Sequence, residues 1–336
     1  EKNGNTEVIW SRDYIYPGQT HGYTKSVQPH DGAEDGGNSR LSALLNLVEA
    51  FEPIATDTPG EGAKFDVGTK DNPKFYTNPE DLFVGRDPRL AGTILYPGSS
   101  FRDRTVVLQT GQWIKNSDGQ WEQKLGQSLG EKDDQGRYVT ALNGPMVRND
   151  QRECNRTGFY VRKYLDKTTS AGTDRGSEMW NVYFRIAEAY LIASEASWEL
   201  SRDNTDTDAL KYINAVRNRA GISSLNTIDH EKIMHEYRVE FAFEGNRWWD
   251  LKRWMEASKI WTGEPTARTS QRLGLWPFKV VASGDPNDGK WVFIEKDMQK
   301  LDLWRRPLKC TEAQYYSEID NGWINNNPKL VKNPYQ

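Results

Sequence analysis

Cysteine and histidine are scarce in this sequence. Its 336 residues include only two cysteines, Cys154 and Cys310, and four histidines. Two thiols cannot build a metal cluster, and they can form at most one disulfide. The composition therefore leaves the redox compartment open, and it predicts neither a metal centre nor a cofactor.

The chain also lacks an excess of one charge and any long apolar run. Its formal net charge is −4, so it offers no basic surface to a nucleic-acid backbone. No apolar stretch approaches the roughly 18 residues that a membrane span needs, and the first ten residues do not resemble a signal peptide. We expect a fragment or processed product, with any targeting sequence or membrane anchor lying outside this chain.

Aromatic residues, in contrast, are abundant. The sequence has 13 Trp and 15 Tyr, although only 36% of its residues are hydrophobic. A chain of this length can bury a substantial core, but so polar a chain is not expected to bury every aromatic ring. The composition predicts that some rings form exposed platforms.

One histidine-containing segment, at residues 230–254, invites comparison with a zinc-hydrolase helix. Such a helix needs two histidines four residues apart, so that both ligands share one face. His230 and His235 are five apart and point roughly 140° apart, and the residue four positions after His235 is Val239. The spacing excludes this zinc site and predicts an amphipathic packing helix. The acidic turns at 31–38 and 285–289 likewise lack the ligand spacing of an EF-hand.

The hydrophobic pattern predicts a mainly α chain, with helical hairpins of tetratricopeptide size in an α-α superhelix and a loop-rich region with short strands and hairpins. Residues 1–175 are the loop-rich region, 176–262 the helical region and 263–336 an irregular region with a hairpin around 284–289. Helices are predicted at 42–52, 179–200, 208–222, 230–244 and from there to Met255, strands at 7–16, 105–110 and 158–166, and a hairpin turn at Asp118-Gly119. In 179–200, a stripe at Ile186, Ala189, Tyr190, Ala193 and Ala196 predicts close packing against other helices.

Several segments resemble, in order and spacing, the signature of the SusD/RagB-like nutrient-binding lipoproteins of Bacteroidetes outer membranes. They are GRDPRLAGTILYPG (85–98), TGFYVRKY (157–164), FRIAEAYLIASEA (184–196), ALKYINAVRNRAGI (209–222), EYRVEFAFEGNRWWDLKRW (236–254) and NNNPKLVKNPYQ (325–336). Two departures are Tyr237, where the family pattern has arginine, and residues 304–310, which replace a Pro-Ile-Pro segment. The resemblance covers the family's C-terminal portion and implies one SusD-like domain overall.

The resemblance implies a function in nutrient uptake. It indicates a cell-surface protein that binds oligosaccharide or polysaccharide without catalysis and passes it to a TonB-dependent outer-membrane transporter of the SusC type. It also implies anchoring to the outer membrane by a lipid on a cysteine outside this chain. A glycoside hydrolase or lyase on a helical scaffold, or a scaffold that binds proteins, remains an alternative.

Glycan binding needs flat aromatic faces flanked by polar groups, preferably on loops. Two loop-rich stretches, 14–40 and 96–121, offer such side chains. The predicted glycan-binding residues are Tyr14, Tyr16, Tyr23, His30, Asn38, Trp113 and Trp121.

The charged residues of the signature segment have a different interpretation. Glu240, Glu244, Arg247, Asp250 and Arg253 could be imagined as a catalytic acid pair with an anion clamp. Opposite charges at helical spacing beside tryptophans more often form ion pairs that fix helix registry. We therefore predict that these residues are scaffold.

Overall fold

The structure is a computed structural model that describes residues 2, 4–30, 39–147, 154–173, 175–301 and 306–335. The chain divides into two compact units, which alternate along the sequence. Unit 1 comprises Glu1–Glu244 and Leu273–Lys296, and unit 2 comprises Gly245–Arg272 and Asp297–Gln336. The boundaries of these units differ from the predicted boundaries at residues 175 and 262.

The strands are short and gather in small sheets. They are β1 (Val8–Arg12), β2 (Ile94–Leu95), β3 (Ser100–Phe101), β4 (Arg104–Thr105), β5 (Gly111–Lys115), β6 (Trp121–Leu125), β7 (Tyr160–Val161), β8 (Asn181–Arg185), β9 (Leu273–Val281) and β10 (Trp291–Asp297). The largest sheet of the described chain has the order β10-β9-β5-β6, and two-stranded sheets pair β1 with β8, β2 with β7 and β3 with β4.

The helices are also short, apart from three in unit 1. They are α1 (Tyr23–Val27), α2 (Leu45–Val48), α3 (Arg89–Thr93), α4 (Thr169–Thr173), α5 (Ile186–Ser201), α6 (Thr207–Ala220), α7 (His230–Glu240), α8 (Asn246–Arg253), α9 (Ala257–Ile260), α10 (Met298–Leu301) and α11 (Asn321–Asn326), with a 3₁₀ helix at Glu312–Tyr315. The predicted helix at 42–52 is thus only the single turn of α2. None of the described helices is both long enough and apolar enough to cross a membrane.

The four-stranded sheet confirms one predicted hairpin and corrects one predicted strand. β5 and β6 are joined through Asp118-Gly119, where Gly119 has a φ of 75°, a conformation that glycine adopts easily. The strand predicted at 105–110 is wrong beyond Thr105, because Leu108 takes a φ of 55° and donates its N–H to the Asn143 side chain at 2.8 Å. The hairpin around 284–289 lies between β9 and β10, as predicted.

The two-stranded sheet β1–β8 revises a helix boundary. β8 pairs antiparallel with β1, with Trp10 opposite Phe184 and Arg12 opposite Asn181. The helix predicted at 179–200 is therefore wrong over 181–185, and α5 begins at Ile186. Burial alternates along β8, but five residues are too few for a period of two to stand out beside a longer helical pattern.

α5 and α6 form the predicted helical hairpin. Their side chains meet in an antiparallel order, because Ser194 donates to the Ala209 carbonyl at 2.7 Å while Tyr190 stacks on Tyr212. Asp206 caps α6 by accepting from the Ala209 N–H at 2.7 Å. Gly221 ends α6 with a φ of 79°, which confirms the predicted left-handed cap.

The packing face of α5 differs from the predicted one. Its buried residues are Ala187, Leu191, Ser194, Glu195 and Trp198. Ile186 and Ala196, which belong to the predicted stripe, are exposed. The prediction was wrong because small and apolar residues were assigned to the packed side, whereas Ser194 can be buried once its hydroxyl is hydrogen-bonded.

The signature segment at 236–254 contains a break. α7 begins after Asp229, whose side chain accepts from the Lys232 N–H at 2.9 Å. It ends at Glu240 rather than at residue 244, and Phe243 and Gly245 then take φ values of 62° and 91°. Gly245 therefore separates α7 from α8, as predicted.

Each unit has its own hydrophobic core. In unit 1 the main cluster includes Phe51, Phe83, Phe159 and Phe293. In unit 2 Leu251, Ala257, Cys310 and Tyr315 form a smaller cluster with several tryptophans around it. Cys154 and Cys310 are both buried, and neither forms a disulfide within the described chain.

Candidate functional site

Two groups of polar and aromatic side chains in unit 1 could have a functional role. The first, which we call the ion-pair network, consists of Arg89, Lys163, Arg185, Arg217 and Arg219 with Glu7, Glu52, Asp87, Glu236, Glu240 and Glu244. The second, which we call the aromatic face, consists of Trp10, Tyr14, Tyr16 and Tyr183. The two groups differ in burial and in how their members are paired.

Arg217 is the most deeply buried member of the ion-pair network. Its guanidinium on α6 has no exposed surface and donates to Glu52 at 2.6 Å, to Glu236 at 2.9 Å and to the Ser223 carbonyl at 2.8 Å. Buried charges persist only when they are paired and hydrogen-bonded. Arg217 therefore ties α6 to α7 and to the segment after α2.

Glu240 collects three arginines from three elements. It accepts from Arg89 of α3 at 2.8 Å, from Arg185 of β8 at 2.6 Å and from Arg219 of α6 at 2.5 Å. Burial by itself would raise the pKa of Glu240, but Arg185, Arg89 and Arg219 outweigh it and lower the pKa from 4.5 to about 2. A carboxyl kept ionised in this way is a poor proton donor at neutral pH.

A cavity of about 300 Å³ opens beside the network. Its charged lining comprises Glu7, Arg89, Lys163, Arg185, Glu240 and Glu244, together with Arg219. These side chains contact one another, since Lys163 donates to Glu244 at 2.5 Å and Arg185 donates to Glu7 at 2.7 Å. The pairing agrees with the prediction that Glu240 and Glu244 are scaffold, and Asp250 and Arg253 similarly pair within α8 at 3.1 Å.

The aromatic face begins with two rings on the sheet β1–β8. Trp10 and Tyr183 have ring centroids 5.0 Å apart and planes inclined by 41°. They are 65% and 49% exposed. Rings this exposed add little to the stability of the fold through burial. They leave two apolar surfaces, inclined to each other, open to solvent.

Tyr16 lies at the tip of the turn that follows β1. Ile15 and Gln19 exchange two backbone hydrogen bonds, of 2.7 and 2.8 Å, which close the turn. The Tyr16 N–H donates to Glu178 at 3.2 Å. A Cβ on Gly176 would lie only 2.9 Å from the Tyr16 ring, so the ring rests directly on backbone while remaining 50% exposed.

Tyr14 lies between β1 and the turn, and its ring contacts two side chains. Its ring meets that of His21 edge to face, with centroids 4.6 Å apart, and the Arg12 guanidinium lies 5.3 Å from its centre. His21 is fixed in turn, because its Nε2 lies 2.7 Å from the Met179 carbonyl oxygen. The Tyr14 ring is therefore held in place although it is only partly buried.

Three other predicted residues of the long loop have different surroundings. Tyr23 begins α1 and is partly buried, and burial raises the pKa of its hydroxyl to about 12. His30 is partly buried. Asn38 lies outside the described residues, as does the acidic turn at 31–38.

The two predicted tryptophans belong to the four-stranded sheet. Trp113 on β5 is only 1% exposed and meets Phe278 edge to face, with ring centroids 5.8 Å apart. A ring packed on all sides has no face left for a ligand, so we remove Trp113 from the candidate site. Trp121 on β6 is partly buried, and its ring centroid lies 5.8 Å from that of Phe75. The Lys115 ammonium lies over the same ring, 4.9 Å from its centre. The sheet therefore does not bring either residue into the aromatic face.

Sequence reasoning missed Trp10 and Tyr183. Tyr183 was assigned to a helix, which hid its place on a strand. The run Val8-Ile9-Trp10 contained a usable signal, because neighbouring residues of a strand point to opposite faces. Three consecutive apolar residues in a two-stranded sheet therefore imply that at least one is exposed unless both faces are covered.

The helical hairpin and the small sheets together form a fold of the SusD-like structural class. The chain belongs to the SusD family, whose family model matches residues 6–335.

Two curated relatives show sequence similarity over part of the chain. A SusD-like protein, P2, of Formosa agariphila is 33% identical over 107 residues, which cover 28% of this chain and 21% of that protein. A SusD-like protein of Bacteroides ovatus is 36% identical over 75 residues, covering 22% of this chain and 14% of that protein.

Solved structures share the fold across the whole chain. A SusD-like protein from Bacteroides fragilis matches with a TM-score of 0.61 and 21% identity, covering 100% of this chain and 55% of that one. A SusD-like carbohydrate-binding protein from the same species matches with a TM-score of 0.56 and 22% identity, covering 97% and 55%. The chain thus spans about half of the length of these two structures.

Proposed function

We propose that this chain is the glycan-binding part of a cell-surface protein that captures oligosaccharide or polysaccharide without turning it over. The observation that carries the proposal is the aromatic face, in which the rings of Trp10, Tyr183 and Tyr16 are exposed and that of Tyr14 is partly buried. Membership of the SusD family and the carbohydrate-binding description of one solved relative support it.

The chemistry of the aromatic face suits a sugar ring. One side of a pyranose presents mainly C–H groups, which pack on flat aromatic rings, while its hydroxyls need polar neighbours. Trp10 and Tyr183 provide two inclined ring surfaces. Tyr16 supplies a third ring together with a phenolic hydroxyl, which can donate to or accept from a sugar hydroxyl.

A hydrolase or lyase is the alternative, and the ion-pair network does not favour it. Such enzymes use two carboxyl groups about 5–10 Å apart, one of which must hold a proton at the working pH. In Glu240 the neighbouring arginines lower the pKa to about 2. Glu240 therefore remains ionised and binds arginines instead of donating a proton.

The cellular role that we propose is nutrient import across the outer membrane. The full-length protein is lipid-anchored at the cell surface and works with a TonB-dependent transporter of the SusC type. In this arrangement the hairpin α5–α6 belongs to a tetratricopeptide-like superhelix that faces the transporter, while the aromatic face meets the glycan. Affinity purification of the native protein from detergent-solubilised outer membranes tests this role. Recovery from another compartment, or without a transporter, would contradict it.

Affinity electrophoresis through gels containing soluble polysaccharides tests glycan binding directly. We expect at least one polysaccharide to retard the chain. Trp10→Ala, Tyr183→Ala or Tyr16→Ala should each lower the affinity obtained from the retardation about tenfold, since a stacking contact of about one or two kcal/mol is lost. Trp323→Ala is the matched control, because Trp323 is 68% exposed in unit 2.

The same mixtures distinguish binding from turnover. A reducing-sugar assay run in parallel should show no new chain ends. Release of sugar that persists after repurification would reject the non-catalytic proposal. Equal retardation of all variants would place the glycan elsewhere, and retardation by none of the polysaccharides would reject glycan binding by this chain.

A further inference from the structure

We infer that the aromatic face takes an acidic glycan, one whose sugars carry carboxylate or sulfate groups. This inference rests on the proposed function and goes further by naming the class of ligand. It follows from two exposed arginines, namely Arg12, whose guanidinium lies over the Tyr14 ring, and Arg175, whose side chain packs over Gly22, the residue after His21.

Arg12 is the first of these groups. It ends β1 and is exposed, and its guanidinium lies 5.3 Å from the centre of the Tyr14 ring. Among the residues that the structure describes, no carboxylate pairs with it. An arginine stacked on a ring keeps its in-plane N–H groups directed outward, where they can donate to an anion in a bidentate manner.

Arg175 is the second group and is also exposed. Its side chain packs over the backbone of Gly22, where a Cβ would lie 3.0 Å from the Arg175 Cγ. Gly22 follows His21, which meets the Tyr14 ring, and Gly176 supports the Tyr16 ring. Within the described chain Arg175 also has no carboxylate partner.

The acidic groups nearby leave a positive balance. Asp13 is neutralised by Lys2. Glu178 accepts from the Tyr16 N–H at 3.2 Å, is exposed, and has no cationic partner among the described residues. Asp166 also lies nearby, but it is buried and accepts from the Ser177 hydroxyl and the Glu178 N–H. Among the exposed groups that the structure describes here, two unpaired arginines therefore stand against one carboxylate, although the chain as a whole has a net charge of −4.

The contrast with the network arginines explains why this excess matters. Arg185 also lies over a ring, that of Phe241, at 4.7 Å, but it donates to Glu240 and Glu244. Arg12 and Arg175 have ring and backbone support without an internal anion. A uronate or sulfate group on a sugar stacked against Tyr14 or Tyr16 would provide that anion.

Paired polysaccharides that differ only in charge test the inference. Polygalacturonate is compared with its methyl ester, and carrageenan with its desulfated form, so that one pair reports on carboxylate and the other on sulfate. We expect an acidic member to bind at least tenfold more tightly than its neutral counterpart, since a charge-assisted hydrogen bond has about this effect. Binding to this member should weaken with added salt.

Variants locate the effect. Arg12→Gln and Arg175→Gln should each lower acidic-glycan affinity several-fold and leave neutral-glycan affinity unchanged, whereas Arg12→Lys should retain part of the preference. Arg306→Gln, which removes an exposed arginine in unit 2, is the control and should change nothing.

The possible failures can be told apart. If neutral and acidic members bind equally, or if the double variant Arg12→Gln/Arg175→Gln keeps the acidic preference, the inference is overturned while glycan binding stands. If no member of either pair and no other polysaccharide binds, both this inference and the proposed function are overturned.

Discussion

The ion-pair network and the aromatic face use the same kinds of residue in opposite ways. Arg217 of the network is buried between Glu52 and Glu236, whereas Arg12 of the aromatic face is exposed and lies over Tyr14. A buried arginine must be paired with carboxylates, because an unpaired buried charge is strongly destabilising. An exposed arginine is solvated by water and can exchange that water for a ligand.

The tryptophans show the same contrast. Trp113 is enclosed in the four-stranded sheet, and Trp10 stands on the open face of β1–β8. From sequence, Trp113 was predicted as a platform and Trp10 was not, yet of the two it is Trp10 whose ring remains exposed. Residue type therefore suggests a role, and burial decides it. The predictions that follow test this difference, beginning with the largest effect.

Arg217→Met should cause the largest loss of stability. It removes the guanidinium partner of buried Glu52, while Glu236 keeps Arg89. Breaking a buried pair in this way lowers the free energy of unfolding by about 3–5 kcal/mol. Denaturant unfolding followed by circular dichroism measures the change. Arg12→Met is the matched control and should leave the midpoint unchanged. A similar midpoint for both variants would contradict the proposed difference between buried and exposed arginines.

Trp113→Ala should destabilise the protein to a similar or slightly smaller extent. Removing a large buried ring leaves a cavity beside Phe278, which lowers the free energy of unfolding by about 3–5 kcal/mol in well-packed cores. Thermal unfolding of this variant is compared with that of Trp10→Ala, which should melt close to the parent. If Trp10→Ala melted as early as Trp113→Ala, Trp10 would have a structural role.

Acidification should weaken the network through Glu240. Its pKa is about 2 in the folded chain and 4.5 ordinarily, so its contribution to stability is present above about pH 4.5 and is lost as the pH falls toward 2. The contribution is on the order of 3 kcal/mol. Urea unfolding at pH 5 and pH 3 measures the loss.

Glu240→Gln provides the control for this acid effect. The variant should be less stable than the parent at pH 7, and the difference between them should shrink at pH 3, because the unfolded parent then binds a proton at this carboxyl while the folded parent does not. A constant difference across this range would show that Glu240 does not titrate in the way described.

Gly221→Ala should have the smallest effect. Gly221 caps α6 with a φ of 79°, and the space for a Cβ is nearly open, the nearest atom lying 3.9 Å away on Pro88. The cost is therefore conformational and about 1 kcal/mol. Thermal unfolding measures this loss, and glycan retardation should be unchanged. Reduced glycan binding would show that the helical hairpin affects the aromatic face.

Much of the fold could be predicted from local patterns. The α5–α6 hairpin, the Gly221 cap, the break at Gly245 and the β5–β6 turn all depend on residues near one another in sequence. The strand β8 could not be recognised, because its existence depends on pairing with β1 more than 160 residues earlier. The packed side of α5 also depends on partners such as Ala209.

The candidate site was predicted only in part. Tyr14 and Tyr16 follow β1 in sequence, and the structure brings them beside His21 and Gly176. Tyr183 joins the same face through the pairing of β8 with β1, which is a long-range contact. Trp113 was misassigned because its sheet partners on β9 lie far along the chain.

The sequence by itself determined the family signature, the helical hairpin, the lack of a zinc-hydrolase spacing and the abundance of aromatic rings. These depend on spacing and composition, which need no knowledge of distant neighbours. Only the tertiary structure decided which arginines are buried between carboxylates and which rings stay open to solvent. Burial and pairing are properties of residues that come together in space, because solvation and charge act over distances of a few ångströms and not along the chain.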